Sequence, residues 1–165
     1  MSLPDGVTLR PATLDDVDAG AALHAACWRE TYAGLVEPAR LEERLADTER
    51  WRTGWATQIE AGPPRVLAAA EDGELIGFGV AGPSRKEDAP ATQELYALYT
   101  LSSWWGRGVG QALLDVVAPV GPCWLFVLAE NGRAQAFYRR NGFAADGHRQ
   151  RYAGLDAWEI RMVRE

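Results

Sequence analysis

Apolar positions along the 165-residue chain recur in two periods, and the switches between them mark the elements. Residues 7–10 read as a short strand. Thr13 then fits an N-cap, with Asp15 and Asp16 in the first turn of a helix running to about Thr31 on a stripe of Leu14, Val17, Ala21, His24 and Trp28. Leu41 and Leu45 predict a second short helix, and Thr48 a cap for a third that carries Trp51, Trp55 and Ile59 until Pro63-Pro64 ends it. Residues 66–70 and 75–80 read as strands around Asp72-Gly73, a strong hairpin signal, and residues 82–92 as a polar loop. A strand at 94–101, a helix at 108–117 and a near-continuous apolar strand at 123–129 follow. A helix at 132–140 stops at Asn141-Gly142, and 143–147 and 157–162 read as final strands. This order predicts one α/β layered sandwich with a mixed sheet over residues 1–165.

Composition changes this picture little. With 47% hydrophobic and 24% charged residues and 17 Gly and 9 Pro spread along the chain, disorder and fibrous architectures are excluded. Cys27 and Cys123 sit in apolar surroundings without Cys-x-x-Cys spacing, and His24 and His148 stand alone, so no metal site is expected. No run of 18 apolar residues suggests a membrane span, and the first residues lack the basic and apolar regions of a signal peptide. A reducing, cytoplasmic setting is expected.

Charge is more informative. The total is −6, and 16 of the 17 basic residues are Arg, Lys86 being the exception. From Gly132 onward seven Arg face four acids, whereas residues 1–131 hold ten basic residues and nineteen acids. An acidic body argues against a nucleic-acid partner, while the basic C-terminal end suits one small polyanion.

Two motifs carry the candidate chemistry. Residues 104–114, WWGRGVGQALL, place glycines at 106, 108 and 110 between a strand and a helix, where free N–H groups at a helix N-terminus favour an anion. A dinucleotide fingerprint would need Gly where Gln111 stands, and the phosphate-loop Lys is absent. Alone, the segment also fits a merely structural turn. The second motif begins at Asn131, an N-cap candidate, and puts Ala134, Phe137 and Tyr138 on one helical face. The Tyr138 hydroxyl then needs either a cleft or a backbone partner.

Together with the strand Glu94-Leu95-Tyr96-Ala97-Leu98-Tyr99-Thr100-Leu101, these motifs, in this order and separation, resemble the acetyl-CoA-binding core of the GNAT N-acetyltransferase superfamily over residues 94–143. The resemblance implies a three-layer α/β/α sandwich with a mixed, mostly antiparallel sheet. It implies that Tyr99, Thr100 and Leu101 pair with the pantetheine arm of acetyl-CoA, and that amides of Arg107, Gly108, Val109, Gly110 and Gln111 hold its pyrophosphate. Asn131 would contact pantetheine or cap its helix, Ala134, Phe137 and Arg140 would complete the donor site, and Tyr138 would lie near the thioester sulfur. Trp105 stands where the family usually has Gln or Arg.

The chemistry follows from the reactants. An alkylamine with a pKa of about 10 must lose a proton before attacking a thioester. The tetrahedral oxyanion needs an N–H donor, expected from Leu101, and the leaving thiolate needs an acid, expected from Tyr138. Glu94 is the candidate base, acting through water, although a salt-bridged strand-end carboxylate fits the same position. Trp28, Tyr32 and Tyr96 are candidates for an acceptor cleft, with core packing as the competing reading. The expected activity is acetyl-CoA-dependent, metal-free acetylation of a primary amine of a small molecule or peptide, by direct attack in a ternary complex. The alternative is a non-catalytic acyl-CoA-binding module, and the seven Trp offer material for a homodimer.

Overall fold

In the computed structural model, which describes residues 3–165, a strand at Thr8–Pro11 (β1) leads into helices at Val17–Tyr32 (α1), Pro38–Ala46 (α2) and Thr48–Ala61 (α3). Strands Val66–Ala69 (β2), Leu75–Pro83 (β3) and Gln93–Thr100 (β4) follow, then helix Val109–Val117 (α4), strand Cys123–Leu128 (β5) and helix Gly132–Arg140 (α5). Strands Ala144–Tyr152 (β6) and Ala157–Arg164 (β7) close the chain. All seven strands form one sheet in the order β1-β2-β3-β4-β5-β7-β6. Every neighbouring pair is antiparallel except β4 and β5, which run parallel.

Helices cover both faces. On one, Leu23, Cys27 and Trp28 of α1, Leu41 and Leu45 of α2 and Trp51 and Trp55 of α3 pack on Leu67 and Phe78 of the sheet. On the other, Leu114 of α4 and Tyr138 of α5 close over Leu95, Leu125 and Met162. Gly77 and Gly79 let α4 approach β3. A Cβ at Gly79 would lie 3.2 Å from Leu98 Cδ1 and 3.3 Å from Val117 Cγ2, and one at Gly77 only 2.8 Å from the Tyr99 carbonyl.

Several boundaries differ from the expectations, each for a physical reason. Residues Leu14–Asp16 form a 3-10 turn ahead of α1, so Leu14 leaves the buried stripe and is 52% exposed. Asp16 bonds back to the Thr13 amide and receives both arms of Arg10 at 2.8 and 2.7 Å. Asp47 rather than Thr48 caps α3, accepting from the Arg50 amide at 3.1 Å. Strand β3 extends into the expected loop because Ala81, Gly82 and Pro83 still pair with β4. Edge strand β6 runs on to Tyr152 through a polar, mostly exposed sequence that carries little hydrophobic alternation. Trp28, Trp51, Trp55 and Trp124 are spent on the core, and among the large exposed hydrophobics the one Trp is Trp158. Among the described residues, no helix is long and apolar enough to cross a membrane, and no His, Cys, Asp or Glu cluster is arranged to hold a metal.

Candidate active site

The ladder between β4 and β5 is limited to Glu94 opposite Trp124, after which the two strands part. The resulting cleft, of about 420 Å³, is lined by both strands, α5, the end of α1 and residues of β6 and β7. A β-bulge prepares the separation. The register jumps from Val80 opposite Ala97 to Ala81 opposite Leu95, leaving Tyr96 as the extra residue. Leu95 and Leu98 therefore pack toward α4 and α5, whereas Ala97, Tyr99 and Leu101 pack toward α1–α3.

Backbone parity corrects one expectation. The Leu101 amide donates to the Ile76 carbonyl at 2.9 Å, which makes Leu101 a hydrogen-bonded partner of β3. Successive residues of a strand direct their N–H and C=O groups to opposite sides, so Tyr99 also turns its backbone to β3. Neither Tyr99 nor Leu101 has a backbone edge free for a ligand, and the Leu101 amide is already spent and cannot serve as an oxyanion donor. Leu98 and Thr100 face the cleft instead. The Thr100 carbonyl accepts from the Trp105 indole N–H at 3.1 Å, so this Trp ties the glycine turn to the end of β4.

The turn presents its amides as a cradle. Gly106 and Gly108 adopt φ of +74° and +88°, conformations that favour glycine, and Gly108 caps α4. The first helical bond runs from the Ala112 amide to the Gly108 carbonyl at 3.0 Å, so Val109, Gly110 and Gln111 lie in the turn whose N–H groups have no intrahelical acceptor. The Arg107 amide differs, bonding back to the Trp104 carbonyl at 3.4 Å. The Gln111 side chain is also occupied, donating to Asp115 and Asn141 at 2.7 Å each and joining α4 to the end of α5. Free amides at a helix start beside a cleft form a donor set that fits a pyrophosphate.

Helix α5 supplies the opposite wall. Buried Asn131 caps it, accepting from the Ala134 amide at 3.1 Å. Gln135, which the pattern analysis passed over, donates to the Leu128 and Ala129 carbonyls at 3.1 and 2.8 Å and fixes the helix to the end of β5. Ala134, Phe137 and Tyr138 line the cleft. Burial pushes the Tyr138 phenol above its ordinary value, which keeps it protonated at neutral pH. Arg133 also lines the cleft, its guanidinium 3.6 Å above the Trp105 ring centre. Arg140 does not: it is exposed at the far end of α5, seven residues and about two turns beyond Arg133.

At the closed end, the carboxylate of buried Glu94 accepts from the Arg85 amide at 3.0 Å and from its guanidinium at 2.5 and 3.2 Å. Arg85 also lies 4.0 Å from the Tyr96 ring centre. Trp28 and Tyr32 reach the cleft from α1, and the Tyr32 hydroxyl meets that of Tyr99 at 2.7 Å. Sequence reading missed Arg85, Tyr152 and Glu159, which also line the cleft. Only the folding of β6, β7 and the loop after β3 brings them there.

The sequence pattern of the Acetyltransferase (GNAT) family matches residues 22–143. The uncharacterized N-acetyltransferase YuaI of Bacillus subtilis is 32% identical over 108 residues, covering 66% of this chain and 60% of YuaI, so the chain spans less than two thirds of that relative. The N-alpha-acetyltransferase RimI of Mycobacterium tuberculosis is 34% identical over 140 residues, 79% of this chain and 87% of RimI. In fold, the chain is similar to the PaiA N-acetyltransferase of Thermoplasma acidophilum in complex with coenzyme A, with a TM-score of 0.70, 22% identity and coverage of 100% and 99%. The family match covers most of the chain and includes both the glycine turn and the Tyr138 helix: the chain belongs to the GNAT acetyltransferase family.

Proposed function

We propose that this chain acetylates a primary amine of a small molecule, using acetyl-CoA in a ternary complex, and that it works as one domain in which residues 94–143 hold the donor. The observation that carries this reading is Tyr138, buried and protonated, on the wall of the cleft that opens beside Leu98 and Thr100. Acetyl-CoA, when bound, supplies a thioester-activated acetyl group. The amides of residues 108–111 and Arg133 receive its phosphates, and the free edge of β4 at Leu98 and Thr100 takes the pantetheine amides as an added strand would.

The Leu98 amide, in place of Leu101, stabilises the oxyanion formed when the amine nitrogen attacks the thioester carbonyl. As the C–S bond breaks, the Tyr138 hydroxyl passes its proton to the departing thiolate. Glu94, paired with Arg85, draws the amine proton through water. Two buried free thiols suit a reducing, cytoplasmic setting.

Release of free CoA thiol tests this across alkylamines, arylalkylamines, amino acids and peptide N-termini, alongside calorimetry with acetyl-CoA. Acetyl-CoA binding with amine-dependent thiol release on small amines is expected. Turnover confined to peptide N-termini would replace the acceptor class, and failure to bind acetyl-CoA would overturn the reading.

A further inference from the structure

The splayed end of the cleft carries a carboxylate that the acetyl-transfer steps do not use. Glu159 sits on β7, opposite Leu128 of β5 and opposite Gln150 of β6, so the end of the sheet delivers it to the same cavity as Tyr138. One carboxylate oxygen, Oε2, accepts from Gln150 Nε2 at 2.9 Å, and among the described residues Oε1 has no partner. Burial pushes the carboxyl up from its ordinary value, the cost of holding a charge in a partly dry place.

Aromatic faces surround that end. Trp28 meets Tyr32 edge to face at 5.2 Å between ring centres and Tyr152 at 6.2 Å. Glu159 and Tyr152 both raise the Tyr32 phenol, which places the carboxylate within electrostatic reach of this cluster. Two cations lie nearby: the Arg44 guanidinium is 5.8 Å from the Trp28 ring centre, and at the rim Lys86 Nζ donates to Gln150 Oε1 at 2.7 Å, its charge acting on Glu159 across space. An unsaturated carboxylate oxygen framed by aromatic rings is the chemistry that holds an organic ammonium ion, by charge and by cation–π contact. The same cluster repels a carboxylate.

We infer that Glu159, framed by Trp28, Tyr32 and Tyr152, binds the ammonium form of the acceptor, so that the acceptor class is a cationic amine with an apolar body and no neighbouring carboxylate. This rests on the acetyltransferase reading above and narrows its substrate. Glu159 is a specificity residue in this account.

Calorimetry separates the two readings. The protein saturated with CoA, or the chain alone should CoA not bind, is titrated with 2-phenylethylamine, L-phenylalanine and 3-phenylpropionate. The amine is expected to bind at least tenfold more tightly than either carboxylate. Glu159→Gln is expected to erase that preference while leaving CoA affinity unchanged. Equal affinity for the three compounds, no binding of the amine, or a preference that survives Glu159→Gln overturns the inference. The wild-type comparison needs no variant, so a misfolded Glu159→Gln protein does not shield the idea. Absence of CoA binding, with the ammonium preference intact, would instead sink the acetyltransferase reading and spare the ammonium site.

Discussion

Leu101 gives its amide to the Ile76 carbonyl at 2.9 Å, and that single bond sets which residues of β4 a ligand can address. Because the backbone alternates, Leu98 and Thr100 are the residues with N–H groups free toward the cleft. On saturation with CoA, hydrogen exchange at the Leu98 and Thr100 amides is expected to slow at least tenfold, while Leu101, already protected by β3, changes little. A response centred on Tyr99 and Leu101 would contradict the strand register.

Tyr138→Phe removes one hydroxyl from the cleft wall and leaves its ring in place. A loss of roughly 100-fold in kcat with acetyl-CoA affinity unchanged is expected of a general acid. Rapid-quench turnover paired with calorimetry makes the check. Wild-type turnover in this variant would remove Tyr138 from the mechanism.

The two arginines of α5 differ in place and so in expected effect. Both are exposed, but Arg133 lines the cleft over Trp105 and Arg140 does not. Arg133→Ala is expected to weaken CoA binding about tenfold, the scale of one charge-assisted contact of roughly 1.5 kcal/mol, and to flatten its salt dependence. Arg140→Ala is expected to change neither. Titrations at two salt concentrations decide between them.

Gly20 lies in the middle of α1, where alanine would ordinarily add about 1 kcal/mol of helix stability. Here a Cβ would come within 2.6 Å of Trp55 Cη2, and Trp55 is 1% exposed and unable to retreat. Overpacking of this kind costs about 1–3 kcal/mol, so Gly20→Ala is expected to lower the urea midpoint. A raised midpoint would mean that the α1–α3 interface is looser than described.

Asp16 links stability to pH. Its hydrogen bonds from Arg10, followed by those from Thr13, hold the carboxyl down at about 2, against 3.8 when unpaired. A depressed value means stability that is present above 3.8 and is lost as the pH falls through that value toward 2. Allowing for the half-exposed Arg10, the pair contributes on the order of 1–2 kcal/mol. Asp16→Asn is therefore expected to destabilise the protein by that amount at pH 7, and the gap to the wild type should close near pH 2. Urea unfolding at both pH values measures it.

Local chemistry was legible in the sequence wherever one segment settles its own structure. Asp72-Gly73 predicted its hairpin because few other residue pairs suit that turn, and Gly73 has φ of +86°. Asn131 predicted the start of α5 and Asn141-Gly142 its end, since capping depends on residues three or four apart. The glycines at 106 and 108 predicted a turn of free amides for the same local reason. What only the tertiary structure decided is everything that depends on a partner strand. The bulge at Tyr96 reverses which faces of β4 are buried, and the bond to Ile76 turns Leu101 away from the cleft, because register is a property of two strands at once. Glu159 and Tyr152 lie more than fifty residues from β4 in sequence and meet the cleft only because β6 and β7 add to the far side of β5. A single strand's pattern carries its period, but the neighbour that its hydrogen bonds reach is chosen by the packing of the whole sheet.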